Sequence, residues 1–107
     1  MIYKFKSKAA GDVIMMGPSG DEVLRAVGRP PSPQGIFEVD AMPAAMRAIE
    51  AAIAADEAAR AEAEAKAKES GEKLPPRDGV SLRQRAWPLV EMMKRAHAAN
   101  EPIVWGV

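Results

Sequence analysis

The chain has 107 residues, no cysteine, and fifteen basic against fifteen acidic side chains. That length fits one domain with one modest core. The missing thiols exclude disulfides, thiolate nucleophiles and zinc–thiolate sites, and they favour a reducing compartment. Zero net charge removes any global pull toward nucleic acid or an anionic membrane, so such a partner would need a local basic patch.

The opening MIYKFKSKAAGD lacks the apolar segment of a secretion signal, and no apolar run approaches the length of a membrane span. The expected location is cytoplasmic, with no membrane partner. In residues 2–7, Tyr3 and Phe5 alternate with Lys4 and Lys6, which predicts a strand with the aromatics inward and the lysines on a solvated face or an edge. The run Val13, Ile14, Met15, Met16 sits between Gly11-Asp12 and Gly17-Pro18-Ser19-Gly20, so it reads as a second strand between turns. Residues 21–27 follow as a short helix with Val23, Leu24 and Val27 on one stripe, Ser19 or Asp21 as cap, and Gly28 as stop. The prolines of residues 29–34 require an extended loop, and residues 36–39 form a brief strand.

Asp40 is placed to cap a long helix that tolerates Pro43 in its first turn. Met42, Met46, Ile49 and Ile53 form one narrow apolar seam, and no large apolar side chain follows in residues 54–69. A helix over 40–69 is about 45 Å long, against a radius of gyration near 13 Å for a domain of this size. Its second half is therefore expected to project. Alanine propensity and the pairs Asp56–Arg60, Glu62–Lys66 and Glu64–Lys68 support helix to about residue 68.

Ser70-Gly71 ends that helix, and 70–79 reads as a linker with Pro75, Pro76 and Asp78-Gly79. Ser81 and Gln84 make a capping box for a last helix with the seam Leu82, Ala86, Leu89, Met93, widened by Val90. Pro88 predicts a kink or a fresh start there. Asn100 stops the helix, and residues 102–107 read as a terminal strand, placed inside the sheet because it is apolar.

The fold class that follows is α+β: a small, mostly antiparallel sheet of three or four strands packed on one face by two long helices and one short helix. The domain organisation is a single unit over 1–107, with 54–79 a projecting alanine- and charge-rich helix end and linker. MIYKFKSKAAGDVIMM, AMPAAMRAIEAAIA, DGVSLRQRAWPLVEMM and the closing VWGV together resemble a family of short proteobacterial proteins, domain of unknown function 1840. The resemblance covers the whole chain apart from the stretch 54–73. It implies a bacterial, cytoplasmic, stand-alone domain and carries over no activity and no functional residue.

Few residues offer chemistry. Gly17-Pro18-Ser19-Gly20 lacks the phosphate-cradling patterns and reads as a plain turn. His97 is the single histidine, with no thiol beside it and no spacing that selects a carboxylate partner. Seven methionines fill an irregular core more readily than they hold copper(I). No cofactor, metal or catalytic set is expected. The candidate binding surface is Lys4, Lys6, Arg83, Arg85 and Trp87, a local basic patch with an aromatic to stack a base.

The leading expectation is a non-catalytic protein-interaction module, with another protein or a second copy as partner, motivated by the overshooting helix. The alternatives are a nucleotide- or RNA-binding domain using the basic patch, and a small-molecule-binding protein or enzyme with a pocket near Trp87 and Glu91.

Overall fold

A computed structural model describes residues 2–72 and 81–107. The linker expected over 70–79 falls largely outside those residues.

Strand β1 (Ile2–Ser7) alternates as expected, with Tyr3 and Phe5 buried and Ile2, Lys4 and Lys6 exposed. It pairs antiparallel with β2 (Ala10–Met16), Tyr3 opposite Met15 and Phe5 opposite Val13. Ser7 then faces Ala10, so Gly11 and Asp12 together oppose Lys6, which is a β-bulge. Two short strands, β3 (Gly35–Phe37) and β4 (Ile103–Trp105), complete an antiparallel sheet in the order β2-β1-β4-β3. The last strand therefore lies inside the sheet, beside β1. It is three residues long and ends before Gly106, whose φ is +75°. The first strand is interior too, so its lysines occupy a solvated face and not an edge.

The turn expected at residues 17–20 is instead the first turn of α1 (Gly17–Ala26). Pro18 is allowed there because a first turn has no intrahelical partner for its missing N–H. Neither Ser19 nor Asp21 caps the helix; Met16 precedes it in extended conformation with no side-chain cap. Gly20 lies against the Tyr3 ring, where an added Cβ would sit 2.1 Å from Tyr3 Cδ2. That close approach explains a glycine inside a helix, where it otherwise costs about 1 kcal/mol.

After β3 the chain makes a 3-10 turn over Val39–Ala41, so the strand stops at Phe37 and Asp40 does not cap the long helix. Helix α2 (Met42–Glu69) has 28 residues, about 42 Å of axis, in a molecule measuring 51 × 26 × 23 Å. Met42, Ala45, Ile49 and Ile53 are buried and Met46 is partly so; beyond Ile53 only Ala67 is buried. Helix α3 (Leu82–Ala98) opens with the expected capping box, the Gln84 N–H donating to Ser81 Oγ at 3.2 Å and the Ser81 N–H to Gln84 Oε1 at 3.0 Å. It runs unbroken through Pro88, with no fresh start.

Arg83 at its beginning meets Glu57, and the 3-10 turn at the far end of α2 also packs on α3. The two long helices therefore run antiparallel, since a parallel α3 would lead away from that turn. The three α-helices of the described residues end in the same way, with the residue after the C-cap in the left-handed region: Gly28, Gly71 and Asn100. In each case a paired 6→1 and 5→2 set of backbone hydrogen bonds takes up the last carbonyls.

The core lies between the helices and one sheet face. Phe5 is fully buried, with ring centroids at 5.9 Å from Tyr3, 5.5 Å from Trp105 and 6.4 Å from Phe37. The proline loop is tied to β4 by Trp105 Nε1 donating to the Ser32 carbonyl at 2.9 Å. The Tyr3 hydroxyl donates to the Asp21 carboxylate across the β1–α1 junction. Burial, and then that hydrogen bond, push the Tyr3 pKa up to about 12 from 10.0. Because the folded value is the raised one, this contribution to stability is complete below pH 10.0 and is lost as pH rises through about 12. Tyr3 is the single tyrosine, so its phenolate absorbance should appear near pH 12, and near 10.0 after denaturation. A native midpoint near 10 would contradict the buried pairing.

Candidate interaction surfaces

The candidate basic surface depends on which side of the sheet each residue occupies. Lys4 and Lys6 share a face with Ile2, opposite the one carrying Tyr3 and Phe5. Helix α3 packs on the Tyr3 and Phe5 face, so Arg83, Arg85 and Trp87 belong to the helical layer. The sheet separates the two halves, and the five residues do not form one patch.

Within the helical half each arginine has an acidic partner. Arg83 Nη2 lies 2.6 Å from Glu57 Oε1, and Arg85 Nη1 lies 2.8 Å from Glu22 Oε2. Hydrogen bonding to Glu57 raises the Arg83 pKa further above its already high value. Trp87 is half-buried, and its ring is attended by Lys94 at 4.9 Å and Arg83 at 5.8 Å from the centroid. These arginines join α3 to α2 and α1, and the stacked cations compete with any base for the indole. The four aromatics of the sheet, Tyr3, Phe5, Phe37 and Trp105, all point into the core, so the open sheet face has no stacking platform.

The pocket expected near Trp87 and Glu91 is also divided. Trp87 borders a recess of about 220 Å³ with Glu50, Ile53 and Arg83. Glu91 borders a separate one of about 270 Å³ between α3 and β2, with Asp12, Val13, Pro88 and Arg95 among its walls. A third recess, about 470 Å³ and open to solvent, lies at the end of β1 between Lys6, Lys8 and Glu101. His97 is exposed on the last turn of α3. Among the described residues no group of three or more His, Asp or Glu side chains converges to hold a metal ion, and no helix is long and apolar enough to cross a membrane. Of the methionines, Met15, Met42, Met92 and Met93 are core residues, while Met16 is exposed.

Among the described residues two surfaces remain open. One is the second half of α2, an alanine-rich and charged stretch in which Arg60 pairs with Glu64 at 3.0 Å and Lys66 with Glu62 at 3.1 Å. The other is the uncovered face of the sheet, with Ile2, Ile14 and Met16 each more than 60 % exposed (61 %, 62 % and 64 %) and Ile36 at 37 %. The sequence reading missed Ile14 and Met16 as surface residues. A run of four apolar residues shows no alternation, so its two faces cannot be told apart by pattern. Their pairing opposite Lys4 and Ile2 is what places them outside.

The fold and these surfaces define a small α+β domain that offers exposed faces and shallow recesses. Residues 1–105 match the family model described as domain of unknown function (DUF1840), and the chain belongs to that family. No curated protein and no solved structure matches it.

Proposed function

We propose that the chain is a non-catalytic protein-interaction module whose docking element is the second half of α2. The observation that carries this reading is the length of helix maintained outside the core. From residue 54 to 69, about 24 Å of axis, Ala67 alone is buried. Isolated helices of this length are marginal in water, and most helical stability in proteins comes from packing. Here the first half of α2 supplies the nucleus, and alanine with i,i+4 ion pairs extends it. Alanine side chains let a second helix approach toward the close end of the usual 8–10 Å interaxial range. The charges of residues 58–69 are Glu62, Glu64 and Glu69 against Arg60, Lys66 and Lys68, so this half of the helix is balanced and its alanine face, not its charge, is what a partner helix would meet. The separation of the basic residues by the sheet, and their acidic partners, weigh against the nucleic-acid reading.

Deleting residues 58–72 leaves Glu57 and its contact with Arg83 in place. The shortened chain is expected to keep its core and its melting temperature within a few degrees. Affinity capture from the native host, run with full-length and shortened chains side by side, should retain a protein on the first that is missing from the second. The same proteins on both, or salt-sensitive RNA on both, would refute the reading.

A further inference from the structure

We infer that a recess beside Arg29 binds a small organic monocarboxylate with an apolar body. The recess lies where α1, β3 and the first turn of α2 meet. It is remote from residues 58–69, so the inference stands or falls separately from the docking role given to them. Its volume is about 260 Å³, and its walls are Val27, Arg29, Phe37, Ala41, Ala44 and Ala45. Five of these side chains are apolar, and Arg29 supplies the one charge.

Arg29 is held from several sides. Its backbone N–H donates to the Leu24 carbonyl at 2.9 Å, in the hydrogen-bond pair that closes α1, and Pro30 follows it. Its Nη1 donates to the Ile36 carbonyl at 2.5 Å. The guanidinium carbon lies 4.7 Å from the Phe37 ring centroid and 5.9 Å from that of Trp105. Both rings are buried in the core, so the guanidinium rests on a fixed aromatic floor. A side chain placed in advance loses little freedom when a ligand arrives.

What this guanidinium lacks is an anion. Arg60, Arg83 and Arg85 each have a carboxylate within 3.0 Å. Among the described residues no carboxylate pairs with Arg29, although Glu38 and Asp40 belong to the adjoining turn. A guanidinium has five N–H donors, and here one is bonded to protein. The others can give the paired hydrogen bonds that a carboxylate accepts.

The walls select the rest of the ligand. No lysine, hydroxyl or amide side chain lines the recess, so a phosphate would meet one cation and otherwise carbon, and would lose its hydration without replacement. An apolar body instead meets Val27, Phe37 and three alanine methyl groups. The volume falls below the roughly 300–1,000 Å³ of sites for drug-sized ligands, so that body is short. The space exists because residues 41, 44 and 45 are alanine, and a longer side chain at the exposed Ala44 would fill it.

The test is titration of the full chain with isovalerate and with phenylacetate, followed by NMR shifts of the backbone amides and of Arg29 Nε–H. Both acids should give saturable shifts centred on Val27, Arg29, Phe37 and Ala44. Isovaleramide has the shape without the charge, and inorganic phosphate has the charge without the apolar body. Each should bind about tenfold or more weakly than isovalerate. Arg29→Lys keeps the charge but not the paired donors, and should weaken binding by about tenfold or more. Ala44→Leu should abolish the shifts and leave the melting temperature close to wild type, since leucine is also a good helix former. Arg47→Gln changes an exposed arginine of α2 outside the recess, and should bind as wild type does.

No saturable shift with either acid would overturn the proposal. So would isovaleramide or phosphate binding as tightly as isovalerate, or undiminished binding in Arg29→Lys or in Ala44→Leu. Loss of binding in Arg47→Gln would also overturn it, because the acids would then be responding to surface charge and not to the recess.

Discussion

Phe5→Ala should lower the free energy of unfolding by about 3–5 kcal/mol, out of a total of roughly 5–15 kcal/mol for a domain of this kind. Phe5 is fully buried at the centre of β1 and its ring is close to Tyr3, Trp105 and Phe37. Truncation removes the ring's transfer free energy and leaves a cavity that its neighbours cannot fill. Trp105 is held by its hydrogen bond to the Ser32 carbonyl and Tyr3 by its bond to Asp21, so neither ring is free to move in. The melting temperature should fall on the order of 15 °C or more. A loss below 1 kcal/mol in denaturant unfolding would mean that the aromatic cluster is not the centre of the core.

Gly20→Ala should also destabilise, against the usual expectation for a helix. Alanine is favoured over glycine by about 1 kcal/mol inside a helix, and overpacking typically costs about 1–3 kcal/mol. The new Cβ would lie 2.1 Å from Tyr3 Cδ2 and 2.6 Å from Cε2. The ring is stacked on Phe5 at an interplanar angle of 7°, and its hydroxyl is bonded to Asp21. With contacts this short the steric term should sit at the upper end of that range and win by up to about 2 kcal/mol. Displacing the ring should weaken its bond to Asp21 and bring the phenol's titration back toward 10.0 from about 12. A variant more stable than wild type, with the titration unchanged, would show that the ring swings aside without strain.

That glycine also shows where the sequence was legible and where it was not. Periodic segments read well: the seam of Met42, Ile49 and Ile53, the capping box at Ser81 and Gln84, and the left-handed stops at Gly28, Gly71 and Asn100 all stand as local chemistry sets them. The start of α1 did not read, because glycine and proline at residues 17–20 have the composition of a turn. What selects glycine at residue 20 is tertiary: the Tyr3 ring lies so close that there is no room for a side chain. Asp40 failed as a cap for a related reason. The chain leaves β3 through a 3-10 turn, so Asp40 lies inside that turn and Ala41 takes the capping position.

The candidate basic surface was legible residue by residue but not as an arrangement. Period-two alternation puts Lys4 and Lys6 on one face, and helical spacing puts Arg83 and Trp87 on another. Only the packing of α3 on the Tyr3 and Phe5 face decides that the two surfaces never meet. The acidic partners Glu57 and Glu22 lie 26 and 63 positions away along the chain from Arg83 and Arg85. No local pattern predicts such pairs.

The central claim is that α2 has a packed half that holds the fold and an unpacked half kept for a partner. Amide hydrogen exchange along α2 tests it most directly, measured on the free chain and again with a captured partner present. Residues 42–53 should exchange slowly in both conditions, and residues 58–69 should exchange fast in the free chain and slow markedly when the partner is added. Slow exchange at 58–69 in the free chain, or no change there on adding the partner, would contradict the account.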